Sequence, residues 1–167
     1  LEAIHQLYCR LKWTSDDMPE DEQRTVHRQL VQWLSLNHYE MARLGQPPYG
    51  DRAITLRDTE TLIGMCGVVP CVAGLHVFPS FGGTRGGLSQ AEVGLMWNIS
   101  PDYQRQGYAT ETTRALIEYV FGEMNLNRII ATTEYDNVAS QGVMRKVGMR
   151  VEENAFHDPP WMQVLGI

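Results

Sequence analysis

The sequence predicts an α/β fold in which a mixed sheet is layered against helices, and three observations support this. Segments whose apolar residues recur every three or four positions alternate with short β-branched runs, in the order two helices, three strands, helix, strand, helix and terminal strands. The chain has 167 residues, a common size for one domain, so 1–167 is read as a single domain. Its 43% hydrophobic and 20% charged residues describe an ordinary globular composition.

Leu1, Ile4, Leu7, Tyr8 and Leu11 have helical spacing and mark a first amphipathic helix with no capping residue ahead of it. Asp16, Asp17, Glu20 and Asp21 precede a second helix that sets Val26, Leu30, Trp33, Leu34 and His38 on one side. Carboxylates at that end complement the helix dipole, and Gly45, Pro47 and Pro48 stop the helix. Ala53–Leu56 and Leu62–Val69 form a hairpin around the polar turn at 57–61. The Gly-rich stretch from Pro70 to Gln90 reads as a mobile loop. Its run Gly82-Gly83-Thr84-Arg85-Gly86-Gly87 lacks the Gly-Lys-Ser/Thr ending of a P-loop, so ATP or GTP binding is not expected.

Ala91–Ser100 is the next strand, followed by a Pro-Asp turn and a helix over about 109–124 that faces Ala115, Leu116, Tyr119, Val120 and Met124 inward. Arg128–Thr133 is a buried strand. Asn137 caps a short helix that runs to Val147 and is closed by Gly148. Two further strands flank Asp158-Pro159-Pro160.

Charge excludes some functions. With 14 Lys and Arg against 20 Asp and Glu, the net charge of −6 disfavours a nucleic-acid partner, whose phosphates need basic residues. The apolar run Leu62–Val69 is too short for a membrane span, and no segment has a signal-peptide pattern. Cys9, Cys66 and Cys71 are odd in number and lack paired spacing, which points to reduced thiols in a cytoplasmic protein. His5, His27, His38 and His157 show no ligand spacing, so no metal is expected. His76 reads as an exposed loop histidine, with the lining of a binding pocket as the alternative. Trp33 and Trp161 read as core or pocket wall, and Cys66 as a small buried apolar residue.

The chemistry concentrates in Gln104-Arg105-Gln106-Gly107-Tyr108-Ala109-Thr110, between a strand and a helix. Small residues at 107 and 109 permit a tight turn, and a helix start presents unpaired N–H groups. Such a corner binds anions, pyrophosphate among them.

Residues 91–150 resemble the GCN5-related N-acetyltransferase superfamily, in its branch of ribosomal-protein N-terminal acetyltransferases (RimJ/RimL-like). Three pieces match in order. Ala91-Glu92-Val93-Gly94-Leu95 opens the family's fourth strand, and Gln104-x-x-Gly107-x-Ala109 with Thr110-Glu111 fits its acyl-CoA pyrophosphate motif. Asn137-Val138-Ala139-Ser140 and Arg145-Lys146-Val147-Gly148-Met149 fit the branch's later signature.

The resemblance implies a GNAT fold, with a mixed central sheet splayed between the family's fourth and fifth strands and helices on both faces. It also implies a first strand ahead of the helix that opens at Leu1, absent from this chain. Acetyl-CoA is the implied cosubstrate. Its pantetheine arm would pair with Trp97, Asn98 and Ile99, and its pyrophosphate would sit on the amides of Arg105, Gln106, Gly107, Tyr108, Ala109 and Thr110. Asn137 would hold the pantetheine, Ser140 would lie near the thioester sulfur, and Arg145 and Lys146 are candidates for the 3′-phosphate or, alternatively, a solvated helix face. Glu92 lies near where catalytic glutamates occur in the superfamily; its alternative is a surface residue on a sheet edge. Thr132 stands at another base position and cannot serve, and Glu134 is a weaker substitute. Met144 stands where many relatives carry a tyrosine acid, which leaves Ser140, a water or another tyrosine as proton donor, or a thiolate that leaves unassisted. A homodimer through the terminal strands is implied by analogy.

The implied reaction is direct transfer of an acetyl group to a primary amine in a ternary complex, the amine being a protein N-terminus, an amino acid or another small amine. Deprotonating a lysine-like amine at pH 7 costs about 4–5 kcal/mol, but an α-amine costs only about 1–1.4 kcal/mol, so an α-amino acceptor needs little help from a base. The alternative is a catalytically degenerate acyl-CoA-binding regulatory module.

Overall fold

The computed structural model describes residues 1–46 and 49–167. The apolar spacing of the first residues produces helix α1, Glu2–Arg10, whose inner face buries Leu7 and Tyr8. Helix α2, Glu20–Arg43, starts after Pro19 with Glu20, Asp21 and Glu22 in its first turn. Beyond it Gly45 takes a φ of +63°, while the expected stop at Pro47 and Pro48 lies outside the described residues.

Strands β1, Gly50–Thr55, and β2, Leu62–Ala73, make the expected hairpin. Leu56 N–H donates to Thr61 C=O at 2.9 Å across its turn. Then follow β3, Gln90–Ile99; α3, Tyr108–Gly122; β4, Ala131–Thr133; α4, Val138–Lys146; β5, Val151–Glu153; and β6, Val164–Gly166.

The strands form two sheets, ordered β1-β2-β3 and β4-β6-β5. In the second, β6 pairs antiparallel with both neighbours, so Gly166 stands opposite Ala131 and Val151. A parallel bridge from Gly94 to Ile130 links β3 to the chain entering β4. It is closed by Leu95 N–H to Ile130 C=O at 2.7 Å and Ile130 N–H to Val93 C=O at 2.9 Å. The strands thus form two three-stranded sheets joined by one parallel bridge, in keeping with the expected α/β fold.

Two compact units divide the chain, 1–67 with 97–112 and 68–96 with 113–167. In the first, α1 and α2 pack together and α2 packs on β1. Its core includes Leu7, Tyr8, Ile54, Ile63, Met65 and Ile99. In the second, Leu75, Val77, Phe78, Ile130, Met162 and Leu165 form one buried cluster. Burying a side chain of this size contributes about 1.5–3 kcal/mol.

That cluster corrects the reading of 70–90 as a loop throughout. β2 extends to Ala73, and 3-10 turns at Leu75–Val77 and Pro79–Phe81 insert Leu75 and Phe78 fully into the core. Such short turns leave no helical or strand periodicity to read. His76 is also half-buried, and a Cβ at Gly87 would come within 2.8 Å of its ring.

Both long helices are rotated from the expected stripe. On α2 the buried residue is His27, with Leu30, Val31 and Leu34 half-buried, while Trp33 is 59% exposed. On α3 Thr113 and Val120 are buried, while Ala115 and Tyr119 are exposed. A polar residue at the centre of each buried stripe explains both errors, because a hydrophobicity count passes over His27 and Thr113. Trp161 is 73% exposed and is not core either.

Candidate active site

In the first unit, the end of β3 brings half-buried Trp97 and Asn98 and buried Ile99 to Ser100. Ser100 N–H donates to Ile63 C=O at 2.8 Å, which keeps the strand end on β2. The fit is close: a Cβ at Gly64 would fall inside the van der Waals shell of the Asn98 carbonyl oxygen and 3.0 Å from Ile99 Cδ1.

A 3-10 turn at Pro101–Tyr103 then reverses the chain, and the Gln104 side-chain amide donates back to Ile99 C=O at 3.0 Å. Arg105 has a φ of +61° and Gly107 of +94°. Nothing stands within 4 Å of a Cβ built at Gly107, so the glycine is needed for its backbone angle rather than for space. The ladder of α3 opens with Glu111 N–H to Gly107 C=O at 3.0 Å. Among the described residues, the N–H groups of Tyr108, Ala109 and Thr110 meet no acceptor in the protein. These donors at a positive dipole end suit a phosphate-bearing ligand.

The same unit holds a cavity of about 310 Å³ lined by α1, α2, β1 and β2, with Tyr8, Leu34, His38, Asp51, Arg52 and Met65 among its walls. Burial pushes the Asp51 carboxyl above its ordinary value, and the adjacent Arg52 charge partly opposes this. Arg52 donates to Asp51 C=O at 3.1 Å and to His38 Nδ1 at 3.3 Å. Burial, with the Asp51 charge second, also raises the Tyr8 phenol. The sequence reading missed Asp51. A charged residue opening a strand rich in β-formers was the available signal.

In the second unit, Asn137 Oδ1 accepts from Ser140 N–H at 3.1 Å, the expected N-cap of α4. Gly148 closes the helix region with a φ of +91°. The buried Gln141 amide donates to Tyr135 C=O at 2.9 Å and to Glu134 C=O at 3.3 Å, fixing the turn ahead of the helix. Tyr135 hydroxyl donates to Asn154 C=O at 2.6 Å. Arg145 donates to Gln141 Oε1 at 3.3 Å; it and Lys146 are exposed in the last turn, where cations also suit the helix dipole.

Met144 is fully buried, and a Cβ at Gly166 would meet its Sδ at 3.0 Å. On β3, Glu92 accepts from Arg128 through both carboxylate oxygens, Nε at 3.0 Å to Oε2 and NH2 to Oε1. Arg128 in turn stacks over Phe81, 4.7 Å from the ring centroid.

Thus Trp97, Asn98, Ile99, Arg105, Gln106, Gly107, Tyr108, Ala109 and Thr110 share the first unit with the cavity. Glu92, Asn137, Ser140, Arg145 and Lys146 belong to the second.

His5, Cys9 and His27 converge, with donor atoms within 4.8 Å of one another. His5 and Cys9 are four apart on α1, a spacing the sequence carries.

Two sheets bridged by one parallel pair, with a tight corner leading into α3, make up the α/β fold on which these residues are placed. Residues 1–150 match the family described as an acetyltransferase (GNAT) domain, and the chain belongs to that family. It is 45% identical over 82 residues to the uncharacterized N-acetyltransferase YnaD of Bacillus subtilis, a match covering 49% of this chain and 45% of YnaD. It is 36% identical over 67 residues to the FsC-acetyl coenzyme A-N(2)-transacetylase of Aspergillus fumigatus, covering 38% of this chain and 28% of that protein. The matched segments therefore span less than half of these relatives. In fold, the chain is similar to the crystal structure of an acetyltransferase (GNAT family) from Bacillus anthracis, with a TM-score of 0.59 and 22% identity over 99% of this chain and 84% of the other. Among the described residues, no helix is long and apolar enough to cross a membrane.

Proposed function

We propose that this protein is an N-acetyltransferase that moves an acetyl group from acetyl-CoA to a primary amine by direct transfer in a ternary complex. The observation that carries this reading is the corner at 104–110. Two positive φ angles and three acceptor-free N–H groups there fit a pyrophosphate held by backbone donors. Trp97, Asn98 and Ile99 pair with the pantetheine as a strand would, Asn137 and Ser140 contribute from the start of α4, and Arg145 and Lys146 meet the 3′-phosphate. The similarity to YnaD and to the Aspergillus fumigatus N(2)-transacetylase supports acetyl transfer to nitrogen.

The cavity beside Asp51 and Arg52 takes the acceptor. Its walls are mostly apolar with one carboxylate and one guanidinium, which suits an α-amine carried on an amino acid or a peptide N-terminus. The RimJ/RimL-like branch would act on such an amine. Glu92 is proposed as the base, and Arg128 must release at least one carboxylate oxygen before it can take a proton. Ser140 is the proposed proton donor to coenzyme A.

A second reading is favoured by two observations, the burial of Met144 and the capture of Glu92 by Arg128: a module that binds acyl-CoA without turnover. Steady release of coenzyme A with a panel of amino acids, peptides and polyamines distinguishes the two. Turnover is expected; binding without release across the panel would select the second reading. With turnover in hand, Glu92→Gln should lower kcat/KM and flatten its pH profile, and an unchanged profile removes Glu92 from the mechanism.

A further inference from the structure

Apart from the corner and the cavity, α1 and α2 bring three metal-ligating side chains together. His5 and Cys9 are one turn apart on α1, and His27 reaches them from α2. His5 Nδ1 and His27 Nδ1 are 2.9 Å apart, and Cys9 Sγ lies 3.9 Å from His5 Nδ1 and 3.7 Å from His5 Nε2. Tetrahedral zinc with ordinary bond lengths needs donor separations of about 3.3 Å for N···N and about 3.6 Å for N···S. The His5–His27 and Cys9–His5 Nδ1 separations come within a few tenths of an ångström of these, and all three donor atoms lie within 4.8 Å of one another.

The surroundings suit a metal. Both imidazoles are buried and Cys9 is exposed, so the site has a rigid floor and an open side. A cavity of about 150 Å³ is lined by His5 and His27. His27 Nε2 lies 3.4 Å from Thr14 Oγ1, an outer partner that orients the ring. Two nitrogens and a thiolate form a borderline donor set, suited to Zn²⁺ rather than to Mg²⁺ or Ca²⁺.

We infer that His5, Cys9 and His27 bind a divalent transition metal, Zn²⁺ in the first instance, tying α1 to α2. Gln23 Oε1, 3.5 Å from Cys9 Sγ, or a water completes the tetrahedron. On binding, the imidazole proton between the two Nδ1 atoms moves to the Nε2 of the ring that carried it. The Cys9 thiol proton leaves to solvent, so one proton is released per metal. The two helices so joined are the ones that line the larger cavity.

The test uses the untagged chain titrated with Co²⁺. The expected result is a thiolate-to-cobalt charge-transfer band that saturates at one metal per chain and is displaced by Zn²⁺. Cys9→Ser should abolish the band, and His27→Gln should weaken binding by at least about tenfold. Because His27 is buried and its variant can misfold, a second measurement uses the wild type alone: Zn²⁺ should slow alkylation of Cys9. No saturable 1:1 binding, a band that survives Cys9→Ser, or Cys9 alkylation indifferent to Zn²⁺ would each overturn the site and leave only a hydrogen-bonded histidine pair.

Discussion

Gly64→Ala tests how tightly the end of β3 is held on β2. The new methyl would point at backbone, falling against the Asn98 carbonyl oxygen, 3.0 Å from Ile99 Cδ1 and 3.2 Å from Ile99 Cα. Backbone in a paired strand cannot rotate aside as a side chain can, so the strands must separate locally. Overpacking of this kind costs about 1–3 kcal/mol. At about 2–4 °C per kcal/mol for a chain of this size, the melting temperature should fall by about 2–12 °C. The displaced atoms belong to the segment proposed to pair with pantetheine, so affinity for coenzyme A should fall as well. Calorimetric melting and titration with coenzyme A read both effects, with Gly86→Ala as control because nothing lies within 4 Å of its Cβ. A Gly64→Ala protein that melts with the wild type and binds coenzyme A equally would refute the register of β2 against β3.

Asp51→Asn should raise the melting temperature at neutral pH while weakening use of the amine. Burial raises the folded-state pKa, so the carboxyl binds its proton more tightly when folded, and stability is lost as pH rises from the ordinary aspartate value through the folded one. The variant's advantage should therefore shrink in acid, and an advantage independent of pH would contradict this. Glu152 has the opposite sign. Burial is the largest single influence and pushes it up, but Ser80 hydroxyl and N–H donors and the Arg150 guanidinium together hold it below its ordinary value. Its stabilisation is present above the unfolded carboxylate pKa and is lost as pH falls through the folded one. Glu152→Gln should cost about 1–3 kcal/mol at pH 7 in denaturant melts and remove that acid sensitivity.

Legibility from sequence followed the range of the interaction. The cap of α4 was readable because Asn137 and Gly148 act within three or four residues of themselves, and the hairpin turn likewise. The turn at 104–110 was readable because Gly107 serves a backbone angle, whereas the positive φ of Arg105 left no sign in the sequence. The 70–90 stretch was not, since Leu75 and Phe78 are core by virtue of distant partners such as Ile130 and Leu165. The inner faces of α2 and α3 were displaced by His27 and Thr113, polar residues whose burial depends on tertiary neighbours. Asp51, and the meeting of His5 and Cys9 with His27, likewise require the packing of α2.

The seat of Met144 constrains how this protein can change. Met144 is fully buried, and a Cβ on Gly166 would meet both its Sδ at 3.0 Å and Met149 Sδ at 3.1 Å, so a tyrosine at 144 would need room at this closely packed point. The substitution that restores a proton donor is therefore disfavoured as a single step. It becomes accessible only after a neighbour such as Met149 shrinks, and that first step alone leaves a cavity in the core. The residue at 144 is thus tied to its packing partners, and a tyrosine enters there only with a paired change.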